Sequence, residues 1–84
     1  MIAGDPGLRV PLEIVSERAK QDAKWGEQNH EDGYWLGILM EEVGEVSKEY
    51  IEAPYNDSGD SELRQELIQV AAVAVAWVEA IDRR

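Results

Sequence analysis

Nine consecutive residues, Val70-Ala71-Ala72-Val73-Ala74-Val75-Ala76-Trp77-Val78, carry no charged or hydrogen-bonding side chain apart from the Trp77 indole. They belong to a longer segment, from a possible N-cap at Ser61 to about Asp82. Its first half is amphipathic, with Leu63, Leu67 and Val70 expected inside and Arg64 and Gln65 outside. The alanines and the continuation to Ile81 favour helix over strand, despite the β-branched valines. A helix that is apolar all round must be covered on every side. The chain has 84 residues, one domain at most, and its spacing leaves room for two further helices. Two helices cannot enclose a third. The pattern therefore predicts an all-α, three-helix protomer whose helical bundle is completed by homo-oligomerisation, as a homodimer or homotetramer. A domain this short buries only about 60–65% of its unfolded surface, and association is a common way to gain the rest.

The first helix is expected to start at Pro11, where a missing N–H costs nothing, after a flexible lead-in over residues 1–10. Residues 11–84 then form the single domain. Leu12, Val15, Ala19 and Ala23 follow helical spacing and are expected to face inward, with Glu13, Glu17, Arg18 and Lys20 pointing elsewhere. Gly26 should end this helix. A polar loop follows from Glu27 to Gly33, with Asp32 placed to cap the second helix. That helix is expected over Tyr34 to Ile51, with Leu36, Leu39, Val43, Val46 and Tyr50 spaced as a coiled-coil-like seam. Ala53 to Gly59 is rich in turn formers.

Eighteen acidic residues against eight basic ones leave a net charge of −10. Such a balance disfavours nucleic acid and anionic membrane as partners. With no cysteine and one histidine, His30, disulfides, thiolate metal sites and His-rich zinc sites are absent. The longest apolar run is far short of the roughly 20 residues needed to span a bilayer. No segment resembles a signal peptide, so a soluble, cytoplasmic protein is expected.

The acids are unevenly placed. From Glu41 to Glu66 there are nine acidic residues and two basic ones, Lys48 and Arg64. Within Glu41-Glu42-Val43-Gly44-Glu45, Glu42 and Glu45 are one turn apart on one helix face, and Glu49 extends the stripe. Such a stripe either faces water or holds a divalent cation. Its position beside the apolar seam, rather than opposite it, favours the cation. Glu66 lies in the next helix, and an antiparallel turn brings it back toward Glu45. Taken alone, Glu66 reads better as a first-turn acid complementing the helix dipole; facing the other three acids it reads as a ligand. Hard carboxylate oxygens on facing helices suit Mg²⁺, with Mn²⁺ also possible, and leave positions for water and substrate phosphate. A di-iron site would need a Glu-x-x-His motif, and no histidine follows position 30.

Glu41-Glu42-x-x-Glu45, a spacer, then Glu66-x-x-Gln69-Val70 resembles the signature of the MazG-like nucleoside triphosphate pyrophosphohydrolases. The likeness runs from about Lys24-Trp25-Gly26-Glu27-Gln28 through Ile81. It implies an all-α fold and Mg²⁺-dependent hydrolysis of nucleoside triphosphates to monophosphate and pyrophosphate. Glu42, Glu45 and Glu66 would be metal ligands. Glu41 would be catalytic, orienting the attacking water, or a further ligand. Trp25, Asn29 and His30 would form the substrate-binding pocket for the base: Trp25 by stacking, Asn29 with a donor and an acceptor. Trp35 and Trp77 are assigned to packing or interfaces. At position 69 the family carries Asp where this chain has Gln69. An amide oxygen can ligate Mg²⁺ but brings no charge. The alternatives are therefore a nucleotide- or metal-binding relative with weak or no turnover, and a structural acidic helical module.

Overall fold

The computed structural model describes residues 6–52 and 59–84. Among these the chain is all-helical: α1 (Pro6–Trp25), α2 (Asp32–Glu52) and α3 (Gly59–Arg83). The start of the expected lead-in and most of the Ala53–Gly59 turn lie outside the described residues.

α1 begins at Pro6, five residues before its expected start, and carries Pro11 within it. Pro6 takes the early position where a missing N–H is harmless, leaving Pro11 in the second turn. Gly26 ends the helix as expected. Its φ of 74° is left-handed, and its N–H donates to the Asp22 carbonyl at 2.8 Å, a pairing that closes helices at a glycine. The cap of α2 falls on Glu31 rather than Asp32: the Glu31 carbonyl accepts from the N–H groups of Tyr34 and Trp35. Asp32 is thereby released for tertiary contacts. α3 starts two residues before Ser61, leaving that serine inside the first turn.

α3 is the central helix. α2 packs along it and α1 packs on another side, while α1 and α2 barely touch. Trp35 meets Ala76 and Ala80 at one end of the α2–α3 pair, and the acids of α2 approach Glu66 at the other, so these helices are antiparallel. α1 runs with α3, since Glu13 pairs with Arg64, Glu17 with Gln69 and Arg18 with Glu79.

The packing register departs from expectation on all three helices. The protected residues of α2 are Trp35, Ile38, Leu39, Glu42, Val46 and Glu49, while Leu36, Val43 and Tyr50 are exposed. The seam lies largely one residue earlier than the expected stripe, and one residue rotates a helix by about 100°. The cause is size matching. Trp35, 2% exposed, fills the space left by the alanines of α3, an interlock that dense packing favours. On α1, Leu12, Val15, Ala19 and Ala23 are exposed, and no residue is fully buried. The helix docks through half-buried Ile14 together with Glu13, Glu17 and Arg18, the side chains expected to point away. Its apolar residues are too few to outweigh charged partners waiting on α3. On α3, Leu67 is exposed rather than inside, while Arg64 is exposed as expected and pairs with Glu13 at the edge of the α1–α3 contact.

The fully buried apolar set among the described residues is small: Trp35, Ile68, Ala72, Val73, Ala76 and Ala80. The radius of gyration is 14.4 Å, where a compact chain of this length has about 12 Å. No helix among the described residues is long and apolar enough to cross a membrane.

Candidate metal centre

The carboxylates gather where α2 crosses the lower half of α3. Glu42 is half-buried in the seam between the helices, and Glu66 is half-buried opposite it. Burial pushes the Glu42 carboxyl above its ordinary value, and so, in turn, do the charges of Glu66, Glu45, Glu41 and Glu17. Glu66 is raised in the same way, first by burial, then by Glu45, Glu49 and Glu62. The contributors come from three helices. Each carboxylate is disfavoured both by leaving water and by its like-charged neighbours. Glu41 and Glu45 are exposed on the rim of this cleft. As they stand, no three acidic or histidine side chains among the described residues are close enough together to hold a metal ion. The donor chemistry fits a hard divalent cation, and drawing the ligands together is the change its binding would require.

Gln69 has a specific partner. Its side-chain amide donates to Glu17 Oε1 at 2.6 Å, partly buried between α3 and α1. Glu17 in turn is one of the charges acting on Glu42. The neutral Gln69 is thus paired with a carboxylate from another helix. Sequence reasoning missed Glu17. The available signal was its spacing: Glu13 and Glu17 are four apart on α1 and meet Arg64 and Gln69, five apart on α3. Arg64 grips Glu13 with both ends of its guanidinium, one contact at 3.0 Å, and that hydrogen bond holds the Glu13 carboxyl below its usual range.

The other end of the α2–α3 pair holds a cavity of about 470 Å³, lined by Asn29, His30, Asp32, Trp35, Trp77 and Arg84 among others. Two of the three expected base-pocket residues are therefore together. Trp25 is not with them: it is exposed, with the Lys24 ammonium over its ring at 4.7 Å. Asn29 donates to Glu27 and accepts from Arg83, both at 2.9 Å. His30 packs against Tyr34 and Trp35, with ring centroids 4.5 and 5.0 Å away. His30 Nε2 and Trp35 Nε1 are buried with no hydrogen-bond partner among the described residues. Asp32 accepts from Trp77 Nε1 at 2.9 Å and Arg84 at 3.1 Å. Those two donors, the indole first, lower its pKa. Trp35, assigned to packing, is the most buried of the three tryptophans, and Trp77 adds an edge to this cavity.

In comparison with known proteins, no family model, curated protein or solved structure matches the chain.

Proposed function

We propose that this protein hydrolyses nucleoside triphosphates to monophosphate and pyrophosphate with a divalent cation, Mg²⁺ or Mn²⁺, as its resemblance to the MazG-like pyrophosphohydrolases implies. The observation that best supports this reading is the electrostatic coupling of Glu42, Glu45 and Glu66 across an antiparallel seam. Glu42 and Glu66 are each raised in pKa first by burial, and both feel the charge of Glu45. Protein interiors avoid such repulsion unless a positive partner offsets it.

Glu42, Glu45 and Glu66 would hold the cation, which when bound neutralises phosphate charge and lowers the pKa of water. Glu42 gives up its raised proton preference on cation binding, so affinity falls as pH falls. Glu41, on the rim, takes the proton from the attacking water. The water oxygen bonds to phosphorus, the bridge between the α and β phosphates breaks, and pyrophosphate leaves. The base would enter the cavity of Asn29 and His30, against Trp77 rather than Trp25. Trp35 and Glu42 are seven residues apart, so the cavity and the carboxylates are separated by about 10 Å along α2.

One observation favours a second reading, a nucleotide or metal binder with little turnover. The Gln69 amide is engaged by Glu17 and adds no charge to the site. A pyrophosphate-release assay over the common nucleoside triphosphates, with Mg²⁺ and with Mn²⁺, separates the two. The hydrolase releases pyrophosphate, and Glu45→Gln abolishes it. A binder is stabilised against heat by cation plus nucleotide yet releases none. If Glu45→Gln leaves release unchanged, the carboxylates are not the site.

A further inference from the structure

The stretch between α1 and α2 is held from a distance. α1 and α2 barely touch, and among the described residues no backbone-to-backbone hydrogen bond secures residues 27–30. Their course is fixed by Arg83, 54 positions beyond Asn29. Arg83 Nε donates to Asn29 Oδ1 and Nη2 to the Gln28 carbonyl, both at 2.9 Å. Glu27 Oε1 lies 3.4 Å from Arg83 Nε. Asn29 Nδ2 closes the ring by donating to Glu27 Oε2 at 2.9 Å.

The chemistry of this ring allows one arrangement. A guanidinium only donates and a carboxylate only accepts. The amide between them must turn its oxygen to Arg83 and its nitrogen to Glu27. Flipped, it would set donor against donor and acceptor against acceptor. Both ends of the Asn29 amide are therefore engaged within the protein. The next residue, His30, lines the same cavity. Its ring packs on Tyr34 and Trp35, and its Nε2 is buried without a partner among the described residues. A buried polar atom in that state costs free energy until something completes it.

We propose that Arg83 is a positioning residue for the ligand of this cavity: through Gln28 and Asn29 it sets the loop so that His30, and not Asn29, meets the ligand. That the ligand is a nucleotide base rests on the function proposed above; the clamp itself does not. Two features make Arg83 a support rather than a phosphate anchor. Two of its three guanidinium nitrogens are already engaged by the loop, and the Glu27 carboxylate beside it offsets its charge. The planar fork matters, because it reaches an amide oxygen and a backbone carbonyl at once, which an ammonium does less well.

The chain has a single histidine, so its imidazole proton resonances report on position 30 alone. In the wild type the rings of Tyr34 and Trp35 should displace them from the values of free histidine. Arg83→Ala and Asn29→Ala should each move them toward those values with little change in Tm, and Arg83→Lys should fall between. Should Arg83→Ala fail to fold, Asn29→Ala, at an exposed loop position, carries the same test. In titrations with Mg²⁺, Arg83→Ala should weaken binding of the common nucleoside triphosphates by about tenfold, the loss of one well-placed hydrogen bond. Inorganic tripolyphosphate, which has no base, should bind as before. The Arg83→Ala, Asn29→Ala double variant should be no worse than either single one. His30 resonances that stay in place in Arg83→Ala overturn the proposal. So does an equal loss of tripolyphosphate affinity, which would make Arg83 a phosphate ligand. Summed losses in the double variant also overturn it, because Asn29 would then touch the base itself. If the wild type binds no nucleoside triphosphate, the pyrophosphohydrolase reading fails, while the His30 resonances still decide whether Arg83 holds the loop.

Discussion

The two ends of the α2–α3 pair are built on opposite principles. At the upper end Trp35 is locked over Ala76 and Ala80, and ionic ties close around it. Asp32 holds Trp77 and Arg84, while Arg83 reaches Asn29 and the Gln28 carbonyl. At the lower end Glu42 and Glu66 face each other across the seam with their neighbours' charges added. There α3 is tied to α1 instead, through Glu13–Arg64 and Glu17–Gln69. Stability is concentrated where the sequence is apolar and small. The lower end keeps a repulsion that folding alone would remove. A pair clamped at one end and strained at the other leaves the strained end as the place where a ligand changes most.

The largest expected effect tests the clamp. Trp35→Ala removes the largest buried side chain of a thin core, and such truncations cost about 3–5 kcal/mol. That is most of the stability of a small domain. Circular dichroism with denaturant titration should show a chain largely unfolded or close to it, while Tyr34→Ala, at an exposed neighbour, should change little. Equal losses would mean that the upper end is not the anchor.

The next tests the strained end, and here the sign is opposite. Folding raises the Glu42 pKa from its ordinary 4.5, so the folded state binds that proton more tightly than the unfolded chain. Stability is gained as pH falls through the raised value and lost as pH rises through it. Metal-free protein should therefore melt at a higher temperature just above pH 4.5 than at pH 7. Glu42→Gln should raise Tm at pH 7, flatten this pH dependence and remove any stabilisation by Mg²⁺. A variant that melts lower at pH 7 would show that the carboxylate is held by favourable partners instead.

The smallest effect belongs to the ties around the clamp. Asp32→Asn keeps the shape but removes the charge that receives Arg84, an exposed pair, and such pairs contribute little. Tm should fall slightly, most clearly at low salt. Below the lowered Asp32 pKa wild type and variant should converge, because protonation removes the same charge. A drop comparable to that of Trp35→Ala would move the anchor from the core to the ionic ties.

Much of the fold was legible. The three helices, the glycine that ends α1 and the apolar excess of α3 follow from spacing and composition. So does the return of Glu66 to the level of the acids of α2, because antiparallel packing of consecutive helices brings that part of α3 alongside them. The rotation of each helix was not legible. Leu36 and Trp35 are both large and apolar, and periodicity cannot tell which of two adjacent residues faces the seam. The answer depends on the alanines of α3, more than 30 positions later in the chain. The same holds for α1, whose apolar residues match a helical stripe yet are exposed. Its docking is decided by Arg64, Gln69 and Glu79 on another helix.

The sequence by itself determined an all-helical chain, an acidic face on α2 with a matching acid on α3, and more apolar surface than one protomer can cover. These depend on local spacing and on totals, which a linear string records. Only the tertiary structure decided that Glu17 joins the acids, that Gln69 has a carboxylate partner, that Trp25 stands apart from Asn29 and His30, and that Asp32 secures Trp77. Each of these joins residues far apart in the chain. Their meeting is fixed by helix rotation, and rotation is set by which side chains fill one another's space.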